Sequence, residues 1–126
     1  MPLIGIKRIY DPPSQEDGKR ILVDRLWPRG VKKEGARIDE WLKEIAPSDE
    51  LRTWFSHDPS RWQEFRRRYT KELGEKQDII DRLRAEARKG RVTLLFAARD
   101  TEHNNAVVVR EVIYGKRGGS LRVSRI

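Results

Sequence analysis

The chain predicts an α/β fold, a small three- to four-stranded, mainly parallel sheet with flanking helices, in a single domain over residues 1–126. Three observations carry this. The run Val92-Thr93-Leu94-Leu95-Phe96-Ala97-Ala98 is almost continuously apolar, without alternation, as a central parallel strand covered on both faces would be. Trp62, Phe65, Tyr69 and Leu73 recur at spacings of three and four, a core-facing helical stripe. The apolar run Ile21-Leu22-Val23 stops in Asp24-Arg25-Leu26-Trp27-Pro28-Arg29-Gly30, a turn rich in functional side chains. A length of 126 residues suits one core and is short for two.

In chain order, Leu3 to Ile9 alternates and suits a first strand, broken by Asp11-Pro12-Pro13-Ser14. Asp17-Gly18 is a turn signal before a second strand, Arg20 to Asp24. The connection from Tyr10 to Lys19 is long for a hairpin, which keeps open a functional loop or a parallel pairing through an irregular crossover. Asp39 is placed to cap a helix from Glu40 to Ile45, with Trp41, Leu42 and Ile45 on one face and Pro47 as its stop. Ser48 caps a short turn with Asp49 and Glu50 at its positive end, burying Leu51, Trp54 and Phe55. Asp58-Pro59 opens the striped helix, which Gly74 ends; a further helix runs from Lys76 to Lys89 and closes at Gly90. After the buried strand, Asn105 to Tyr114 reads as a helix capped by Asn104 or Asn105. Gly115 to Gly119 reads as a basic turn, and Leu121, Val123 and Ile126 as a last edge strand or a fraying end.

Composition narrows the chemistry. The net charge is +8, from 28 basic against 20 acidic residues, which draws anions at low salt or else simply solvates helix surfaces. There is no cysteine, so disulfides, thiolate catalysis and cysteine-ligated clusters are excluded. Neither a signal peptide nor a run of roughly 20 apolar residues is present, which makes a cytoplasmic protein without a membrane partner the expectation. No Walker loop, dinucleotide fingerprint or Gly-x-Ser-x-Gly elbow occurs, and no cofactor is predicted.

Ligands of open α/β sheets bind beyond the carboxyl ends of the strands, which singles out the polar words there. Arg25 and Arg29 offer planar donor forks for a phosphate or carboxylate, and Trp27 between them offers a ring to stack on it. The competing reading makes Trp27 core and pairs the arginines with Asp24, Asp39 or Glu40. A cis Trp27–Pro28 bond is a further option for that turn. His57 precedes a helix cap, and Asp100, His103, Asn104 and Asn105 follow the buried strand. His57, His103 and Asp100 are the candidate acid–base groups, and Asn104 and Asn105 candidate ligand contacts at a helix start, against ordinary capping. No metal is predicted: neither histidine pair has the spacing of a two-histidine helix. The expected partner is a small phosphorylated anion, in a binding protein or a small enzyme. The alternative is a nucleic-acid module without sequence preference, meeting phosphates through Arg61, Arg66, Arg67, Arg68 and Lys71.

The words Arg8-Ile9-Tyr10-Asp11-Pro12, Asp24 to Gly30, Ala46-Pro47-Ser48, Trp54 to Asp58 and Asp100 to Ala106 occur in that order. Together they resemble the domain-of-unknown-function 488 family, in its YeaO-like branch. The resemblance covers nearly the whole chain and implies a small cytoplasmic α/β protein with a few-stranded sheet. It supplies no reaction. Other branches look to place cysteine and histidine where this chain has His103-Asn104-Asn105, so thiol chemistry does not carry over.

Overall fold

A computed structural model describes residues 3–115. Its strands are β1 (Ile4–Arg8), β2 (Lys19–Leu22), β3 (Glu40–Trp41) and β4 (Val92–Phe96). Its helices are α1 (Lys33–Ala36), α2 (Asp49–Phe55), α3 (Trp62–Gly74), α4 (Gln77–Lys89) and α5 (Asn105–Ile113). All four described strands are parallel, in the order β1-β4-β2-β3, so the last of them in sequence lies between β1 and β2. Ile4 lies opposite Val92 on one side of β4 and Lys19 opposite Val92 on the other. Every residue of β4 is buried, which is why its sequence shows no alternation.

Alternate side chains supply two cores. Val92, Leu94 and Phe96 join Ile21, Val23 and Ile4 beneath α2 to α5, through Leu51, Phe55, Phe65, Tyr69, Leu73, Ile80, Leu83, Val108, Val109 and Ile113. Burying each large apolar side chain contributes about 1.5–3 kcal/mol, so this helical face dominates stability. The other face is smaller. Leu22, Leu95 and Ile9 meet Ala36, with Trp27, Val31, Ile38 and Trp41 packed on them.

The amino-terminal part of that second face is ionic. Arg20 of β2 is 3% exposed and Asp17 is 7% exposed. Arg20 Nη1 donates to Asp17 Oδ2 at 2.6 Å, and Lys7 Nζ to Asp17 Oδ1 at 3.1 Å. Arg20 also donates to the Ala36 and Arg37 carbonyls, while Thr93 Oγ1 donates to the Asp17 carbonyl. The β1–β2 connection therefore crosses β4 on this face, the parallel crossover that its length left open. Ser14 and Asp17 cap each other through a single 3₁₀ turn, Gln15–Asp17. Gly18 then swings the chain into β2 with φ +65°, and a Cβ there would lie 2.1 Å from the Arg91 carbonyl oxygen.

The expected helix from Glu40 to Ile45 is not formed. Glu40 and Trp41 instead pair with Ile21 and Leu22 as β3, and Lys43–Ile45 make one 3₁₀ turn. Asp39, the expected cap, is bonded to β2: its Oδ2 accepts from the Arg20 amide and its own amide donates to the Arg20 carbonyl. The open backbone edge of β2 outcompetes a helix that Pro47 limits to six residues. The remaining elements lie within a few residues of their expected places. Asp58 and Pro59 open a 3₁₀ turn before α3, Ser48 caps α2, and Asn104 caps α5. The Trp27–Pro28 bond is trans. The expected basic turn beyond Gly115 and the edge strand of Leu121, Val123 and Ile126 lie outside the described residues.

Candidate functional site

Adjacent β2 and β4 send their chains to opposite faces: β2 leads to α1 on the small core, β4 to α5 on the large one. Such a reversal at adjacent carboxyl ends is where open α/β sheets commonly seat ligands. Asp24 lies at these strand ends. Its Oδ2 accepts from the Ala97 amide at 2.9 Å and its Oδ1 from Asn105 Nδ2 at 3.1 Å. Asn105 Nδ2 also donates to the Val23 carbonyl at 2.8 Å, and Trp41 Nε1 to the Asp24 carbonyl at 2.7 Å. Burial pushes the Asp24 carboxyl above the usual carboxylate range, against the Ala97 and Asn105 hydrogen bonds and the charge of nearby His57.

Both histidines reach this end of the fold along one aromatic row. His57 lies 6.3 Å from Phe55, Phe55 lies 6.0 Å from Trp62, and Trp62 meets His103 edge to face at 5.1 Å. His57 is exposed, and it and Ser56 both hold left-handed backbone, φ 57° and 46°. Two such residues in succession hold backbone strain, and His57 lies near enough to Asp24 to act on its carboxyl. His103 Nδ1 lies 2.8 Å from Asp100 Oδ2. A carboxylate only accepts, so Nδ1 carries the proton and Nε2 is left to hold or take one. The Glu102 amide, then the His103 ring and amide, hold the Asp100 carboxyl below its ordinary value. Asn104 is 2% exposed and engaged at both polar atoms, its Oδ1 capping Val107 and its Nδ2 donating to the Asp100 carbonyl.

The two arginines of the β2 turn part company. Arg25 donates through Nε to the Pro47 carbonyl at 3.2 Å and pairs with Asp49 at 3.5 Å, on the helical side. Arg29 is exposed, and its carbonyl accepts from Tyr10 Oη at 2.9 Å. Trp27 packs on the small core with Nε1 donating to the Val31 carbonyl at 2.7 Å. Near Arg29 lies a cleft of about 330 Å³ between Ile9–Pro13, which follow β1, and a wall of Gly30, Val31, Lys32, Gly35 and Ala36, which follow β2. Arg8 braces the neighbouring strand ends, donating to the Ala97 and Ala98 carbonyls while its guanidinium lies 5.0 Å from the Tyr10 ring centroid.

The basic helix is different. Arg66 forms a two-bond pair with Glu111, while Arg67 and Arg68 share Glu64. Those bonds hold the Glu64 carboxyl down to about 2. Arg61 and Arg68 lie over Trp54, with centroid distances of 5.3 and 4.5 Å. No group of three or more histidine, aspartate or glutamate side chains able to hold a metal occurs among the described residues. No helix among them is long and apolar enough to cross a membrane.

Residues 3–117 match the family described as "Inactive DUF488-N3 subclade". The chain belongs to this family. It is 47% identical over 108 residues to the uncharacterised protein YeaO of Escherichia coli, covering 86% of this chain and 94% of that one. It is 36% identical over 113 residues to uncharacterised proteins of Mycobacterium bovis and Mycobacterium tuberculosis, covering 90% of this chain and 95% of each relative. No solved structure matches it.

The words that carry the family resemblance interlock. Asp24 ties β2 to Ala97 and Asn105, and Arg25 binds the Ala46-Pro47 backbone. Ser48 is gripped by Glu72 through its amide and hydroxyl, and Tyr69 Oη donates to the Ile45 carbonyl at 2.5 Å. Asp24 and Lys32 are the site residues that sequence reasoning passed over. Asp24 had a usable signal, being the first polar residue after a buried run at a strand's carboxyl end.

Proposed function

We propose that the protein binds a small anionic ligand carrying a phosphate group at the carboxyl ends of β1 and β2, in the cleft between Tyr10–Pro13 and Gly30–Ala36. One contrast supports this reading above all. Lys32 in the wall and Arg29, whose next residue Gly30 lines the cleft, make no ion pair among the described residues, whereas on the basic helix Arg66, Arg67 and Arg68 are ion-paired and Lys71 is not. Cations left without counter-charges beside a concavity are suited to an incoming anion, and cations already paired are poorer acceptors of one. Tyr10 fixes the backbone of Arg29, which reduces the ordering that binding requires. The description of the family as inactive favours binding over catalysis. His103 and Asp100 then serve the β4–α5 turn.

The test is calorimetric titration with pyrophosphate. Arg29→Ala weakens binding at least tenfold while the melting temperature stays within about 2 °C, as expected of a surface substitution. Reversing the charges of Arg66, Arg67 and Arg68 leaves the affinity within about twofold. Loss of binding on that reversal, with Arg29→Ala silent, transfers the anion to α3 and favours the nucleic-acid reading.

A further inference from the structure

A second concavity, of about 250 Å³, lies against the edge strand, lined by Trp27, Lys33, Ile38, Asp39, Glu40 and Trp41. Its two indoles meet edge to face, with centroids 5.3 Å apart and planes at 69°, so they form a corner. Both indole N–H groups are spent on backbone, Trp27 on Val31 and Trp41 on Asp24. What the rings have left to offer is their π-faces, which attract cations.

Ammonium groups already stand near both rings. Lys43 Nζ lies 4.9 Å from the Trp41 ring centroid, a well-seated contact. Lys33 Nζ lies 6.0 Å from that of Trp27, at the limit of about 6 Å for a significant cation–π attraction. Lys33 is exposed and stands on a one-turn helix, so little else holds it there. Carboxylates complete the lining. Glu40 is engaged by Lys19 and Arg82. Asp39 commits Oδ2 to the Arg20 amide, and its Oδ1 accepts no hydrogen bond among the described residues.

We propose that this corner is a binding site for a small quaternary ammonium head group, with Lys33 as its displaceable occupant. A lysine amine is compact and strongly hydrated, and loses much of that hydration to press against a ring. A methylated ammonium is less strongly hydrated and places methyl groups on both indoles while its charge faces Asp39. The volume suits a head group, being below the roughly 300–1,000 Å³ of pockets for drug-sized ligands. An anion would meet Asp39 and Glu40 and gain only Lys33. The corner and the phosphate cleft share no lining residue, so either assignment can fail alone.

Choline is the probe, followed through the indole N–H resonances of the four tryptophans. Trp27 and Trp41 shift saturably while Trp54 and Trp62 stay still. Lys33→Ala tightens choline binding at least threefold, and the neutral isostere with carbon in place of nitrogen binds at least tenfold more weakly than choline. Absence of a saturable shift in both the wild type and Lys33→Ala overturns the proposal, as does equal binding of the neutral isostere. A trimethyllysine peptide that binds tenfold more tightly than choline overturns the assignment to a small free ligand.

Discussion

Asparagine in place of Asp17 destabilises the protein by about 3–5 kcal/mol, read as a lower urea midpoint at unchanged slope. Asp17 and Arg20 are almost wholly buried on the thinly covered face of the sheet, and the carboxylate also holds Lys7 and the Ser14 amide. The amide keeps the shape but removes the charge, and the Arg20 guanidinium is left without a counter-ion where water cannot replace it. The acid limb of the stability curve changes with it. Burial raises the Asp17 carboxyl, but hydrogen bonds from Ser14, Lys7 and Arg20 outweigh it and leave the group below its ordinary value. Such a carboxyl stabilises fully above its unfolded pKa of about 3.9, and its contribution fades as pH falls through the lower folded value. The wild type therefore loses stability below about pH 4, and Asp17→Asn lacks that part of the loss. An unchanged urea midpoint would mean that the network is solvated and contributes nothing.

Gly18→Ala is the second large loss, above about 3 kcal/mol. Gly18 has φ +65° and ψ −136°, a region that L residues enter only at a cost of about 1–3 kcal/mol. The added methyl also lies 2.1 Å from the Arg91 carbonyl oxygen, which accepts the Lys19 amide beside β2. Backbone cannot step aside as a flexible side chain can, so the crossover and the β2–β4 register yield together. Gly30→Ala is the control: φ is +78°, but no atom lies within 4 Å of the added Cβ. It isolates the conformational cost, and Gly18→Ala must exceed it. Equal losses at the two positions would remove the steric argument.

What the sequence revealed follows the range of the forces involved. Trp62, Phe65, Tyr69 and Leu73 announce α3 because a helix buries a face set by neighbours three and four residues away. Val92 to Phe96 announce the central strand because nothing polar needs to be accommodated on either side. Glu40 and Trp41 could not be read in this way. Their local pattern suits a helix, and they become strand only because Ile21 and Leu22 present an open edge. The site divides similarly. The strand-end words were visible as words, and Asn105 and His57 do lie near Asp24, while His103 pairs with Asp100 and packs on Trp62. That Arg25 faces the helical side while the Arg29 carbonyl is held by Tyr10 depends on contacts 22 and 19 residues away in sequence, which spacing does not encode.

The most direct test of an anion site at the strand ends is a map of backbone amide shifts during titration with inorganic phosphate. The predicted result is a saturable set confined to Tyr10, Asp11 and Gly30 to Ala36, lost in Arg29→Ala. Shifts centred on α3, or weak shifts spread over every basic surface without saturation, would contradict it.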